Sequence, residues 1–145
     1  MPIYGDETNL DHLREWLRRC PEIGTARRFG ADYLPDSPGS CALIALPSAL
    51  RWRENIRGER RLTDEQSCEF LLAFRAEYGP ERLEGWALLQ RVTGWVARRG
   101  AEGDLPEWEG GEVLAVVPTL AGASDQRGPG DARYSLSLRV IYRTA

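Results

Sequence analysis

The stretch "DARYSLSLRVIYRT", residues 131–144, decides how the chain folds. Tyr134, Leu136, Leu138, Val140 and Tyr142 alternate with Arg133, Ser135, Ser137, Arg139 and Arg143. Successive side chains of a strand point to opposite faces, so this pattern is a strand with one apolar face and one polar, cationic face. The apolar face needs a cover, and the remainder of the chain has to supply it.

Two amphipathic segments meet that need. In residues 8–20, Leu10, Leu13, Leu17 and Cys20 fall on one helical face with Trp16 beside them. Thr8 or Asn9 is a candidate N-cap, Arg18 and Arg19 suit the last turn, and Pro21 is expected to stop the helix. Residues 80–99 form a second helix with an apolar stripe of Leu88, Val92, Trp95 and Val96, flanked by Leu89. Gly85 and Gly94 inside it cost about 1 kcal/mol each relative to Ala, which points to close approach of another backbone. Gly100 is the expected residue just past its end.

The other segments read as strands. One lies around Phe29 to Leu34 and one is "CALIALP", residues 41–47. Residues 48–62 read as strand, turn at Gly58, and a second strand from Arg60. "SCEFLLAFRAEYG", residues 67–79, fits a helix or a strand; its aromatics and closing break favour a strand with Cys68, Phe70, Leu72, Phe74 and Ala76 on one face. "VLAVVPTLAGA", residues 113–123, is a strand that Pro118 assigns to an edge or a bulge. Its link to the last strand, about a dozen residues long, predicts an antiparallel pair with an extended loop. The expected class is α+β, a mostly antiparallel sheet with two main helices packed on one face, in a single domain over residues 1–145.

Composition narrows the function. Net charge is −3, which gives no general attraction to nucleic acid or anionic lipid. All 19 basic residues are Arg, and five Trp and five Tyr accompany them. These are residue types enriched at protein–protein hot spots, although a GC-rich genome supplies Arg too. "MPIYGDETNL" lacks the pattern of a signal peptide, and the longest apolar run is too short to span a bilayer. Cys20, Cys41 and Cys68 are odd in number, widely spaced and set in apolar surroundings, as expected of inert reduced thiols.

Catalytic constellations are weak. His12 is the only histidine and has no partner in the sequence. Glu102, Asp104, Glu107, Glu109 and Glu112 lack the spacing of a calcium loop and read as a solvated acidic turn around Trp108. "RGPGD", residues 127–131, precedes a strand and has no Lys, so it is not a phosphate loop. It reads as a hairpin loop, or as an arm toward a neighbouring subunit. "RWRENIRGERR", residues 51–61, sets five Arg around Trp52, but Glu54 and Glu59 interrupt it and argue against single-stranded nucleic acid. This basic stretch and the acidic turn are complementary in sign. They suit a head-to-tail contact between subunits, or a pairing within one subunit.

The ordered set of a helix ending in "CP", "FGADYLPDSPGSCALIALP", "FRAEYGPE", "GDLPEW", "GGEVLAVVPTLAGA" and "DARYSLSLRVIYRT" resembles a family of small proteins from tailed phages and prophages. These are filed as minor capsid proteins and are similar to the tail terminators of long non-contractile tails. The resemblance runs from Asn9 to Thr144, and "GDLPEW" and "ARYSLSLRVIYR" carry most of it. The segment at residues 51–61 departs from the family pattern in being more cationic.

The resemblance implies an α+β subunit that forms a ring, typically hexameric, at the head-proximal end of the tail tube. It implies partners in other copies of the chain, the major tail tube protein and the head–tail connector protein. It implies a place in the virion tail or neck after assembly in the host bacterial cytoplasm. It implies no enzyme activity and no cofactor; the residues themselves suggest no metal site, no membrane span and no specific nucleic-acid binding. The candidate subunit or partner interface is Arg51, Trp52, Arg53, Arg57, Trp108, Arg127, Arg133, Arg139 and Arg143. Two other readings remain: a head-completion or neck connector protein, and a small-molecule-binding module or enzyme using the sheet face.

Overall fold

The computed structural model describes residues 7–24, 28–31, 40–77, 84–124 and 131–144. The elements run α1 (Glu7–Leu17), α2 (Pro21–Gly24), β1 (Arg28–Ala31), β2 (Ser40–Ala45), β3 (Trp52–Glu54), β4 (Arg60–Leu62), β5 (Glu65–Glu77), α3 (Glu84–Ala101), β6 (Gly111–Ser124) and β7 (Asp131–Thr144). The main sheet has the order β1-β2-β5-β7-β6, and β3-β4 form a separate two-stranded sheet.

Residues 131–144 are a strand, as their alternation dictates, and they pair on both sides. β7 lies between β5 and β6, antiparallel to each. Phe70 faces Leu138, Leu72 faces Leu136 and Phe74 faces Tyr134. The even-numbered residues of β5 and β7 therefore share one face. That face joins Leu13, Trp16 and Leu17 of α1 and Leu89, Val92 and Val96 of α3 in one hydrophobic cluster. Burying such side chains contributes about 1.5–3 kcal/mol each. The helices cover this face of the sheet, and the ambiguous "SCEFLLAFRAEYG" segment is settled as the strand β5 by its two antiparallel neighbours.

The sheet is mixed rather than wholly antiparallel, because β1 runs parallel to β2 with Arg28 opposite Ser40. Alternation reports which residues share a face and is silent on strand direction. The expected strand at residues 29–34 is seen as Arg28–Ala31, and residues 32–34 lie outside those described.

Three boundaries move. α1 begins at Glu7, so Thr8 and Asn9 lie inside the helix rather than capping it. Asn9 is buried, and its Oδ1 accepts a hydrogen bond from the Glu109 amide at 2.7 Å. Pro21 does not simply end a helix; it opens the short α2, a position where its missing N–H costs nothing. α3 runs to Ala101, beyond Gly100, and the residue past its end that takes a left-handed backbone is Gly103, with φ 75°. The Gly103 amide donates to the Gly100 carbonyl and the Asp104 amide to the Arg99 carbonyl, a Schellman motif that satisfies the last carbonyls. The predicted start at residues 80–83 lies outside the described residues.

β6 is the edge strand that Pro118 required. Register shifts fall between Val113 and Ala115 and between Pro118 and Leu120, so the missing proline donor sits beside an irregularity. The close approach expected at Gly85 is made by a side chain instead of a backbone. A Cβ there would fall within the ring of Tyr134.

Candidate subunit and partner interface

The basic stretch at residues 51–61 forms an exposed arm. Trp52 faces Leu62, Arg53 faces Arg61 and Glu54 faces Arg60 across β3 and β4. Trp52, Leu62 and Arg60 thus share one face of the arm, where Arg60 stacks over the Trp52 ring at 5.2 Å. Arg53 and Arg61 share the other. At the tip, Asn55 Oδ1 accepts hydrogen bonds from the amides of Arg57 and Glu59, and Gly58 takes φ 80°. Ile56 projects from this turn fully exposed.

An isolated two-stranded hairpin is marginal in water, so this one needs an anchor. Gln66, fully buried, provides it. Its Oε1 accepts from the Arg51 amide at 2.8 Å, and its Nε2 donates to the carbonyls of Arg51 and Thr63 at 3.0 Å each. The next rung keeps one backbone bond, from the Thr63 amide to the Arg51 carbonyl at 3.1 Å, and the Gln66 amide bridges the Arg51 N–H and the Thr63 carbonyl in place of the other, which fixes the base of the arm.

The acidic turn is built by the end of α3. The Schellman motif brings Asp104 back beside α1, where its carbonyl accepts from Trp16 Nε1 at 3.1 Å. Its carboxylate takes Arg19 Nη2 at 2.7 Å and lies 3.7 Å from Arg99. Arg99 also pairs with Glu102. Glu109 and Glu112 remain exposed, with no ion pair among the described residues, and Glu107 is met only by His12 at 3.9 Å. Trp108 points inward. Its ring packs 5.4 Å from Tyr142 and edge-on to Phe70, and it is 8% exposed. Beside it runs an open groove of about 570 Å3, lined by His12, Leu105, Glu107, Trp108, Glu109 and Glu112 among others.

Of the remaining expected interface residues, Arg139 lies on the sheet face opposite the helices and is paired within the chain. Its Nε and Nη2 donate to Glu69 Oε1 at 2.9 and 2.7 Å. Arg133 sits on the same face, opposite Arg75 in register. Arg143 is exposed and shares a hollow of about 400 Å3 with Arg51, Arg53, Asp64, Glu65 and Leu114. The fold therefore gathers Arg51, Arg53 and Arg143 at one end of the sheet and carries Trp52 and Arg57 outward on the arm. Arg127 lies outside the described residues.

The fold has a relative in a solved virion. A chain from the virion of the native gene transfer agent particle superposes with a TM-score of 0.50 at 15% identity, over 94% of this chain and 92% of that chain. The likeness is one of fold. No family model matches this sequence, and no curated protein matches it.

Cys20 is pushed up to about 11 by burial first and by its hydrogen bond to Glu22 second, and burial raises Cys41 as well. Protonated, buried thiols are poor nucleophiles. Among the described residues no group of three or more His, Cys, Asp or Glu is placed to hold a metal, and no helix is long and apolar enough to cross a membrane. Sequence reasoning singled out neither Gln66 nor Ile56 nor Leu62, although it counted Arg61 in the basic stretch. Ile56, one apolar residue inside "RENIRGERR", was a visible signal; Gln66 was not, since only folding sets it against Arg51.

Proposed function

We propose that this chain is a structural virion protein, a tail-completion or tail-terminator protein that forms a ring at the head-proximal end of a phage tail tube. The observation that supports it is full-length likeness in fold to a chain of the gene transfer agent virion. The ordered resemblance to phage minor capsid and tail-terminator proteins points the same way. So does a surface whose distinctive features are an arginine-rich arm and an acidic groove rather than a catalytic cluster.

On this reading the partners are other copies of the chain, the major tail tube protein and the head–tail connector protein. The arm, Trp108 with its groove, Arg133, Arg139, Arg143 and Arg127 belong to the contact surfaces. The test is electron microscopy of particles made without this protein. Tails of uncontrolled length, or tails unattached to heads, are expected; normal tails joined to heads would overturn the reading. Pull-down against separated tails and DNA-filled heads distinguishes a tail component, which binds tails alone, from a head-completion or neck protein.

A further inference from the structure

The arm carries charge that the chain does not answer. Arg53 and Arg61 face each other across β3 and β4, and like charges directly opposite destabilise a strand pair. Neither they nor Arg57 has an ion pair among the described residues; on the arm itself only Arg51 has one, a 3.5 Å contact to Glu65. The arm also exposes apolar surface at Trp52, Ile56 and Leu62. It is nonetheless held in one shape by Gln66 and Asn55, so little ordering entropy stands between it and a partner.

The complement lies elsewhere on the same chain. The Trp108 groove presents Glu107, Glu109 and Glu112 around Leu105 and the edge of Trp108. The arm does not fill it within the subunit, since every residue from Arg51 to Leu62 is exposed.

We propose that the β3–β4 arm of one copy docks on the Trp108 groove of a second copy. Ile56 at the tip lies on the groove, and Arg57 with Arg53 and Arg61, which share the arm face away from Trp52, meets Glu107, Glu109 and Glu112. Donor and acceptor are different surfaces of one chain, so the contact is head to tail, the kind that makes a ring when its rotation closes. This rests on the ring-forming reading above and names the surfaces that would make the ring.

Two charge-reversed variants of the full chain test it by sedimentation velocity up to about 1 mM protein. One carries Arg53→Glu and Arg61→Glu; the other carries Glu109→Arg and Glu112→Arg. Wild type is expected to self-associate, and each variant alone to associate at least about a hundredfold more weakly. An equimolar mixture of the two is expected to regain association, because each variant's arm then faces a groove of opposite sign. Circular dichroism confirms that both remain folded, and Ile56→Asp serves as the probe if either does not. A monomeric wild type, variants that associate as wild type does, or a mixture that stays apart overturns the contact. Those results leave the virion reading to the particle experiment, which does not depend on them.

Discussion

Arg139 and Glu69 face each other across β7 and β5, with two guanidinium hydrogens on one carboxylate oxygen. The strand surface that looked most like a partner site thus carries a cross-strand ion pair of its own. Both side chains are partly exposed, so the pair is worth about 0.2–1 kcal/mol. Arg139→Glu sets two carboxylates opposite each other and should lower stability by about 1 kcal/mol while leaving the chain folded. The exchange Glu69→Arg with Arg139→Glu should restore it. Urea midpoints of the single and double variants measure the coupling; additive losses would show that the pair contributes nothing.

Gly85 and Gly94 both lie in α3 but should respond oppositely to Ala. At Gly85 the added carbon collides with the ring of Tyr134, itself fully buried, so overpacking should cost about 1–3 kcal/mol. At Gly94 it meets only the end of the Arg98 side chain, at 3.5 Å. Gly94→Ala should therefore stabilise by up to about 1 kcal/mol through helix propensity. Thermal melts of the two variants check the contrast in sign.

Gln66→Leu keeps much of the side-chain volume and removes every hydrogen bond to Arg51 and Thr63. Loss of these bonds should cost about 2 kcal/mol and free the arm from the sheet. Hydrogen exchange at the Arg51 amide, now donated to Gln66 Oε1, should accelerate well before the amides of β5 and β7. Equal acceleration everywhere would mean that Gln66 supports the whole fold and not the arm.

Cys20 links stability to alkaline pH. Its thiol titrates near 9.0 when unfolded and is pushed up to about 11 in the fold, so the native state holds the proton more tightly. The stability this contributes is complete below about pH 9 and is lost as pH rises through about 11. Cys20→Ala should make the alkaline decline of the unfolding midpoint shallower. In the wild type, Cys20 and Cys41 should resist a thiol reagent at pH 8 and react once the chain is unfolded in guanidinium.

The local patterns were legible because short-range sterics and periodicity write them. Alternation along residues 131–144 named the buried face, the steps of three and four in residues 10–20 named the helix stripe, and Pro118 named the edge. The basic stretch and the acidic turn were likewise visible as charge, and Gly58 marked the arm's turn. What alternation cannot carry is pairing. That β7 inserts between β5 and β6, that β1 runs parallel to β2, and that Arg139 finds Glu69 depend on which distant strands meet. The same holds for Gln66 at the arm's base, Asn9 on the acidic turn and Tyr134 against Gly85. By itself the sequence determined which apolar faces of these helices and strands must leave water. Only tertiary structure decided what each one meets, because hydrophobic burial is non-directional and the hydrogen bonds, ion pairs and close contacts that select one arrangement form between residues far apart in the chain.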